Sequence, residues 1–244
     1  MKRIYTIIVA LMLGVATVQG VMAQPPGGFG GRGFGRGFGG GGGLGLLAIP
    51  DVQKELKLNQ AQIDKAKAKQ TEISTARREA LEKAGGFQAL RDMSQEDREK
   101  LFQPLQDAEK KAIDELLNTD QKKRHHQLEI QQTAQMSPVA AFTRKDVAEA
   151  LKITDEQKEK LTAIQEEQGT AMREIFQSLG VSFQDMTDDD RKKMGEKMAT
   201  LRKATSEKCL ALLTDEQKKS WKDLVGEPFK FPAFGPGGPG RPRA

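Results

Sequence analysis

Cysteine is nearly absent from this chain of 244 residues: Cys209 stands alone, so no disulfide forms within one chain. Either Cys209 bridges two chains in an oxidising compartment, or it is a small buried residue on a helix face. Histidine is as scarce, with His125 and His126 adjacent. Neighbouring side chains on a helix diverge by about 100 degrees, so the two serve one metal ion poorly and read as a solvated pair on a very charged helix. There is one Trp, and the one Tyr is Tyr5, which leaves little large aromatic surface for a thick core. No Ser–His–Asp set is present. The Gly-rich runs lack the preceding strand and the Lys of a phosphate loop. Asp188-Asp189-Asp190 suits the first turn of a helix, without the alternating oxygen ligands of a calcium loop. The methionines fall mainly at helical spacing, as core residues do, and not as a copper site. These absences exclude the common enzyme chemistries and leave no catalytic, cofactor or metal residue to name.

Charge of one sign is also missing. The chain has 39 basic and 34 acidic residues, a net +5. The two signs are interspersed, as on long solvated helices, which argues against a nucleic-acid partner.

The ends differ from the middle. Lys2 and Arg3, the apolar run Ile4 to Val15 and the small-residue site Val21-Met22-Ala23 form an export signal over residues 1–23. The run is too short for a membrane span, so no transmembrane anchor is expected after its removal. This places a bacterial chain in the periplasm or the medium. Residues 24–47 are Gly/Arg/Phe-rich and residues 227–244 Pro/Gly-rich. Neither composition supplies a core, and both are expected to be disordered. The first is a tether or a sticky arm toward anionic envelope surfaces.

Between the ends, one short pattern occurs four times, in two pairs. Leu58-Asn59-Gln60-Ala61-Gln62 is followed by Leu117-Asn118-Thr119-Asp120-Gln121. Ile153-Thr154-Asp155-Glu156-Gln157 is followed by Leu213-Thr214-Asp215-Glu216-Gln217. Each has an aliphatic residue, an N-cap Asn or Thr, and Gln at the third helical position, which makes a capping box. The separations of the paired glutamines are 59 and 60 residues. Asp51-Val52 and Leu56-Lys57-Leu58 recur as Asp146-Val147 and Leu151-Lys152-Ile153. Asp92-Met93-Ser94 recurs as Asp185-Met186-Thr187. The chain therefore reads as one helical unit duplicated, residues 48–136 and 137–226, too few copies for a solenoid but suited to two fused protomers.

Within each unit the periodicity is helical and no strand alternation occurs. The expected helices are 50–56, 60–84, 95–117 and 119–134, then 145–151, 155–179, 188–213 and 215–225. Gly85-Gly86 and Gly180 end the first long helix of each unit, and Ser94 and Thr187 cap the next. Pro104 predicts a kink or break near Gln103. The apolar stripes are thin: Leu161, Ile164, Met172, Ile175 and Leu179 on one helix, Met194, Met198, Leu201 and Leu212 on another. The fold class is all-α, an open layer of long antiparallel hairpins with part of its apolar surface left for a partner.

The paired Leu-Thr-x-x-Gln elements, the export signal and the helical pattern resemble the Spy/CpxP family of periplasmic proteins, over residues 51–134 and 145–225. Thr154–Gln157 and Thr214–Gln217 match the motif fully, and Asn59 and Asn118 replace its Thr. The resemblance implies a cradle-shaped homodimer that holds unfolding proteins without ATP, which two units in one chain would mimic. The expected function is thus an ATP-independent periplasmic holdase whose partners are partly unfolded proteins, with homo-oligomers an option. Flexible Met and Phe side chains suit promiscuous binding. The candidate contact residues are Phe87, Phe102, Met172, Phe176, Phe183, Met194 and Met198, with Arg77, Arg98 and Arg191. Two alternatives stay open: a metal-responsive or stress-sensing envelope protein docking on a membrane partner, and a structural envelope protein held by the Gly/Arg/Phe arm.

Overall fold

A computed structural model describes residues 43–180 and 185–232. The expected signal, most of the Gly/Arg/Phe-rich arm, Phe183 and the last twelve residues lie outside them. The described residues form helices and no strand. A 3-10 segment, Gly43–Ala48, leads into α1 (Pro50–Glu55), α2 (Gln60–Lys83), α3 (Gly86–Asp92), α4 (Gln95–Leu116) and α5 (Thr119–Met136). Then follow α6 (Pro138–Thr143), α7 (Lys145–Leu151), α8 (Asp155–Leu179), α9 (Asp188–Ala211) and α10 (Asp215–Val225).

Local chemistry accounts for the long helices. Asn59, Asn118, Thr154 and Thr214 adopt extended backbone, and each side chain accepts from the N–H of the Gln three residues on. Ser94 accepts from Asp97 N, and Thr187 from Asp190 N in a further capping box. α1 and α7 end alike, on a lysine in the left-handed region: Lys57 at φ 51° and Lys152 at φ 52°. The next amide reaches back five residues in each case, Leu58 N to Gln53 O and Ile153 N to Ala148 O, both at 2.9 Å. This closes the helix in a Schellman turn and aims the next aliphatic residue inward.

α2 packs on α4, and α8 on α9, giving two hairpins. The base of each is filled by the segment that precedes it. Leu44, Leu46, Leu47 and Ile49 pack with Val52, Leu56, Ala66, Ile73, Ala112 and Leu117. Val139, Phe142, Val147 and Leu151 pack with Leu161, Cys209 and Leu213, and Trp221 stacks on Phe142 at 4.3 Å. Ile130 of α5 is buried in the second cluster, while its neighbour Leu128 is buried in the first.

Several expectations are corrected. Residues 43–47 are not part of a disordered arm: they are buried. Leucines at 44, 46 and 47 supply the apolar surface that the Gly/Arg stretch lacks, and side chains capture the backbone. Glu129 Oε1 accepts from Gly43 N at 2.7 Å, and Glu109 Oε1 from Leu44 N at 2.9 Å. His125 is not solvated. It is 2 % exposed, and its Nε2 lies 2.9 Å from Gly43 O; a carbonyl only accepts, so Nε2 carries the proton. Residues 227–232 of the tail are held in place, because Phe229 and Phe231 join the first cluster. Pro104 does not break its helix, which runs on to Leu116. Pro104 itself is exposed. Finally, α3 and α6 stand where loops or a seam were expected.

Candidate functional site

The motif glutamines do more than cap. Gln62 Nε2 donates to Leu116 O at 2.8 Å and to Gln121 Oε1 at 2.9 Å. Gln121 Nε2 donates to Leu56 O at 3.0 Å. In the second hairpin, Gln157 Nε2 donates to Leu212 O and to Gln217 Oε1, both at 2.8 Å, and Gln217 Nε2 donates to Leu151 O at 3.0 Å. Each glutamine thus caps its own helix with Oε1 and ties off the end of another helix with Nε2. The clasp satisfies carbonyls that a helix C-terminus leaves without partners. It also explains why the paired motifs are 59 and 60 residues apart: the two amides must meet. Sequence reading identified the residues but missed the clasp; the near-equal spacing was its one signal.

Above each clasp the hairpins carry apolar seams. The α8–α9 seam is closed at Leu161, Thr205 and Cys209, which are buried. Farther out, Ile164, Met172, Ile175 and Leu179 of α8 and Leu201, Met198 and Met194 of α9 are half-buried. A pocket lined by Ile164, Gln168, Ala171, Leu201, Ala204 and Thr205, with the Glu167–Lys208 ion pair, opens in this seam. Phe176 of α8 is 43 % exposed and Phe87 of α3 is 64 % exposed. Met136, at the expected seam and not among the candidate contacts, is also exposed.

The other candidates are placed differently. Phe102 is buried at 8 % exposure and so cannot serve as a client contact: it shares a helical stripe with Leu105, Ala112 and Leu116, of which Ala112 is also buried. Arg77 of α2 pairs with Glu109 of α4 at 3.6 Å, across the first hairpin. Arg98 is half-buried. Arg191 is exposed and pairs with Asp188 at 3.2 Å in the first turn of α9. The structure gathers Met172, Met194 and Met198 on one hairpin with Phe176 and places Phe87 on the other.

Two groups are shifted by their surroundings. Burial opposes ionisation of the Asp146 carboxyl, but hydrogen bonds from Arg144, His126 and Val147 N hold it well below the usual carboxylate range. Burial pushes the Cys209 thiol up to about 11, away from nucleophilic chemistry and from an interchain bridge. Among the described residues, no group of three or more His, Cys, Asp and Glu side chains converges as a metal site. No helix there is long and apolar enough to cross a membrane.

The halves meet at α5 and α10. Gln127 Nε2 donates to Asp223 O at 3.3 Å, and Gln131 Nε2 to Val225 O at 2.6 Å and to Glu227 O at 2.7 Å. The pairs 127–223 and 131–227 are 96 residues apart, the offset that also separates Gln121 from Gln217.

Residues 139–225 match the family model of LTXXQ motif family proteins. No curated protein and no solved structure matches the chain.

Proposed function

From the match of residues 139–225 to the LTXXQ motif family, together with the resemblance to the Spy/CpxP type, we propose that the protein is an ATP-independent periplasmic holdase for partly unfolded envelope proteins. One observation carries this reading. The outer α8–α9 seam stays half-buried, with Met172, Met194 and Met198 beside an exposed Phe176. These side chains leave apolar surface at the seam's edge that a partner can cover. Met and Phe there adapt to many partners, and the surrounding Lys, Arg, Asp and Glu limit the seam's self-association.

The single chain further supports a fused pair of units. Corresponding residues of the halves meet one another at 127–223 and 131–227, as equivalent residues do across the axis of an isologous dimer. The two clasps and the two left-handed lysines repeat with the same geometry.

The test is light scattering of a chemically denatured client diluted into buffer with residues 24–244 and no nucleotide. Suppression at near-stoichiometric ratios is expected. Met172→Ser with Phe176→Ser should weaken it several-fold while leaving the circular dichroism melt in place. Unchanged aggregation over a wide range of ratios would rule out the holdase reading.

A further inference from the structure

The segment after α10 is held in a way that chain packing alone does not require. Gly226 turns the chain at φ 61° and ψ −156°, a region open essentially to glycine. Glu227–Phe231 then crosses the first hairpin's core without helix or strand. Phe231 is buried, Phe229 packs beside it, and their rings meet edge to face at 4.8 Å. Between them, Lys230 is exposed. The pattern is an extended strap with two aromatic anchors at i and i+2.

The strap's backbone is read by one side chain. Gln131 is 8 % exposed, and all of its hydrogen bonds to the strap go to main-chain atoms. Its Nε2 donates to Val225 O and Glu227 O, and its Oε1 accepts from Phe229 N at 2.8 Å. An amide that offers both a donor and an acceptor to a passing backbone is indifferent to sequence. The two ring sites supply the preference. Backbone hydrogen bonds for affinity with pockets for alternate side chains are how extended peptides are recognised elsewhere.

We propose that the groove formed by Gln131, Leu128 and the Gly43–Ala48 segment is a peptide-binding groove for extended segments carrying aromatic residues at i and i+2, with residues 226–232 as its resident ligand. The holdase reading supplies only the source of such peptides, unfolded chains; the groove's chemistry stands without it. A tethered ligand competes at an effective concentration on the order of millimolar. The groove is therefore latent, and it opens to other chains when the strap lifts from its glycine hinge.

The probe is a fluorescein-labelled peptide, Gly-Glu-Pro-Phe-Lys-Phe-Pro, with a control in which both Phe are Ser. Fluorescence anisotropy is measured with the full chain, with Gly226→Ala, which strains the hinge but keeps both rings, and with Phe229→Ser/Phe231→Ser, which empties the groove. Both variants should bind the peptide at least about tenfold tighter than the parent, since the apparent affinity scales with the fraction of open groove. The Ser control should not bind, and adding Gln131→Leu to the double variant should remove the gain. If the double variant loses helicity, Gly226→Ala carries the test. Addition of millimolar peptide to the parent should shift the Gln131 side-chain amide signals in NMR spectra. No gain in a folded variant together with unmoved Gln131 signals would overturn the proposal and leave the strap as a permanent piece of the core. Light scattering is run in parallel: client protection without peptide binding sinks the groove alone, and peptide binding without protection sinks the holdase alone.

Discussion

A glutamine that caps one helix and clasps another predicts an asymmetry among motif residues. Thr214→Ala removes an exposed N-cap and should cost about 1 kcal/mol. Gln217→Ala removes the box's return bond from Thr214 N and also strips Leu151 O of its partner in a part-buried site, so urea melts should show a loss of about 2–3 kcal/mol. Equal losses would mean that the clasp contributes nothing. Cys209 gives a second test. With its thiol buried and raised to about 11, its alkylation at mildly alkaline pH should run about a hundredfold slower in the native protein than in urea. The cap residues were legible in the sequence because capping is local. The burial of His125 and Phe102 was not, because it depends on which distant segment covers them, and the cover over His125 comes from 82 residues away.

Helix boundaries were legible where a cap announces them: α2, α4, α5, α8, α9 and α10 start within a residue of their expected positions. α1 and α7 lack a side-chain cap bond too, but their repeated Asp-Val and Leu-Lys-aliphatic pattern announced them; the missed helices had neither signal. α3 follows Gly85 and α6 follows Ser137, and neither has a side-chain cap bond, so tertiary packing decides them. Lys57 and Lys152 each hold a conformation that disfavours a Cβ by about 1–2 kcal/mol. Lys152→Gly should therefore stabilise the α7–α8 junction by about 0.5 kcal/mol in thermal melts, after the glycine's own entropic cost. The α7 start has a pH signature. Asp146 is held below its usual range by Arg144 and His126, so its contribution is complete above about pH 4 and fades as the pH falls below that value. It is partly exposed, which keeps the effect modest. Asp146→Asn should lower stability at neutral pH and flatten this acid limb; an unchanged limb would place the acid sensitivity elsewhere.

At the scale of the whole molecule the two hairpins are interleaved. Ile130 from α5 is buried in the second cluster, and Phe231 from beyond α10 is buried in the first. Residues 43–232 should therefore melt as one cooperative unit, and a fragment of residues 137–232, which lacks Ile130, should show lower helicity and a broad melt by circular dichroism. A fragment that melts as sharply as the full chain would show independent halves. The matched spacing of the two hairpins was visible in the sequence, but the exchange of core residues between them was not, since it runs through contacts such as Gln131 to Phe229, 98 residues apart.

That last contact sets an order of events. Synthesis delivers Leu44 to Leu47 before the second hairpin and Phe231 after it, so the first hairpin's core is complete only once the second hairpin has been made. Its closure is a long-range step that pays loop entropy before any reward. A nascent chain of this protein keeps its first half unfinished until the second half has left the ribosome, which biases it toward remaining pliable while it is being made.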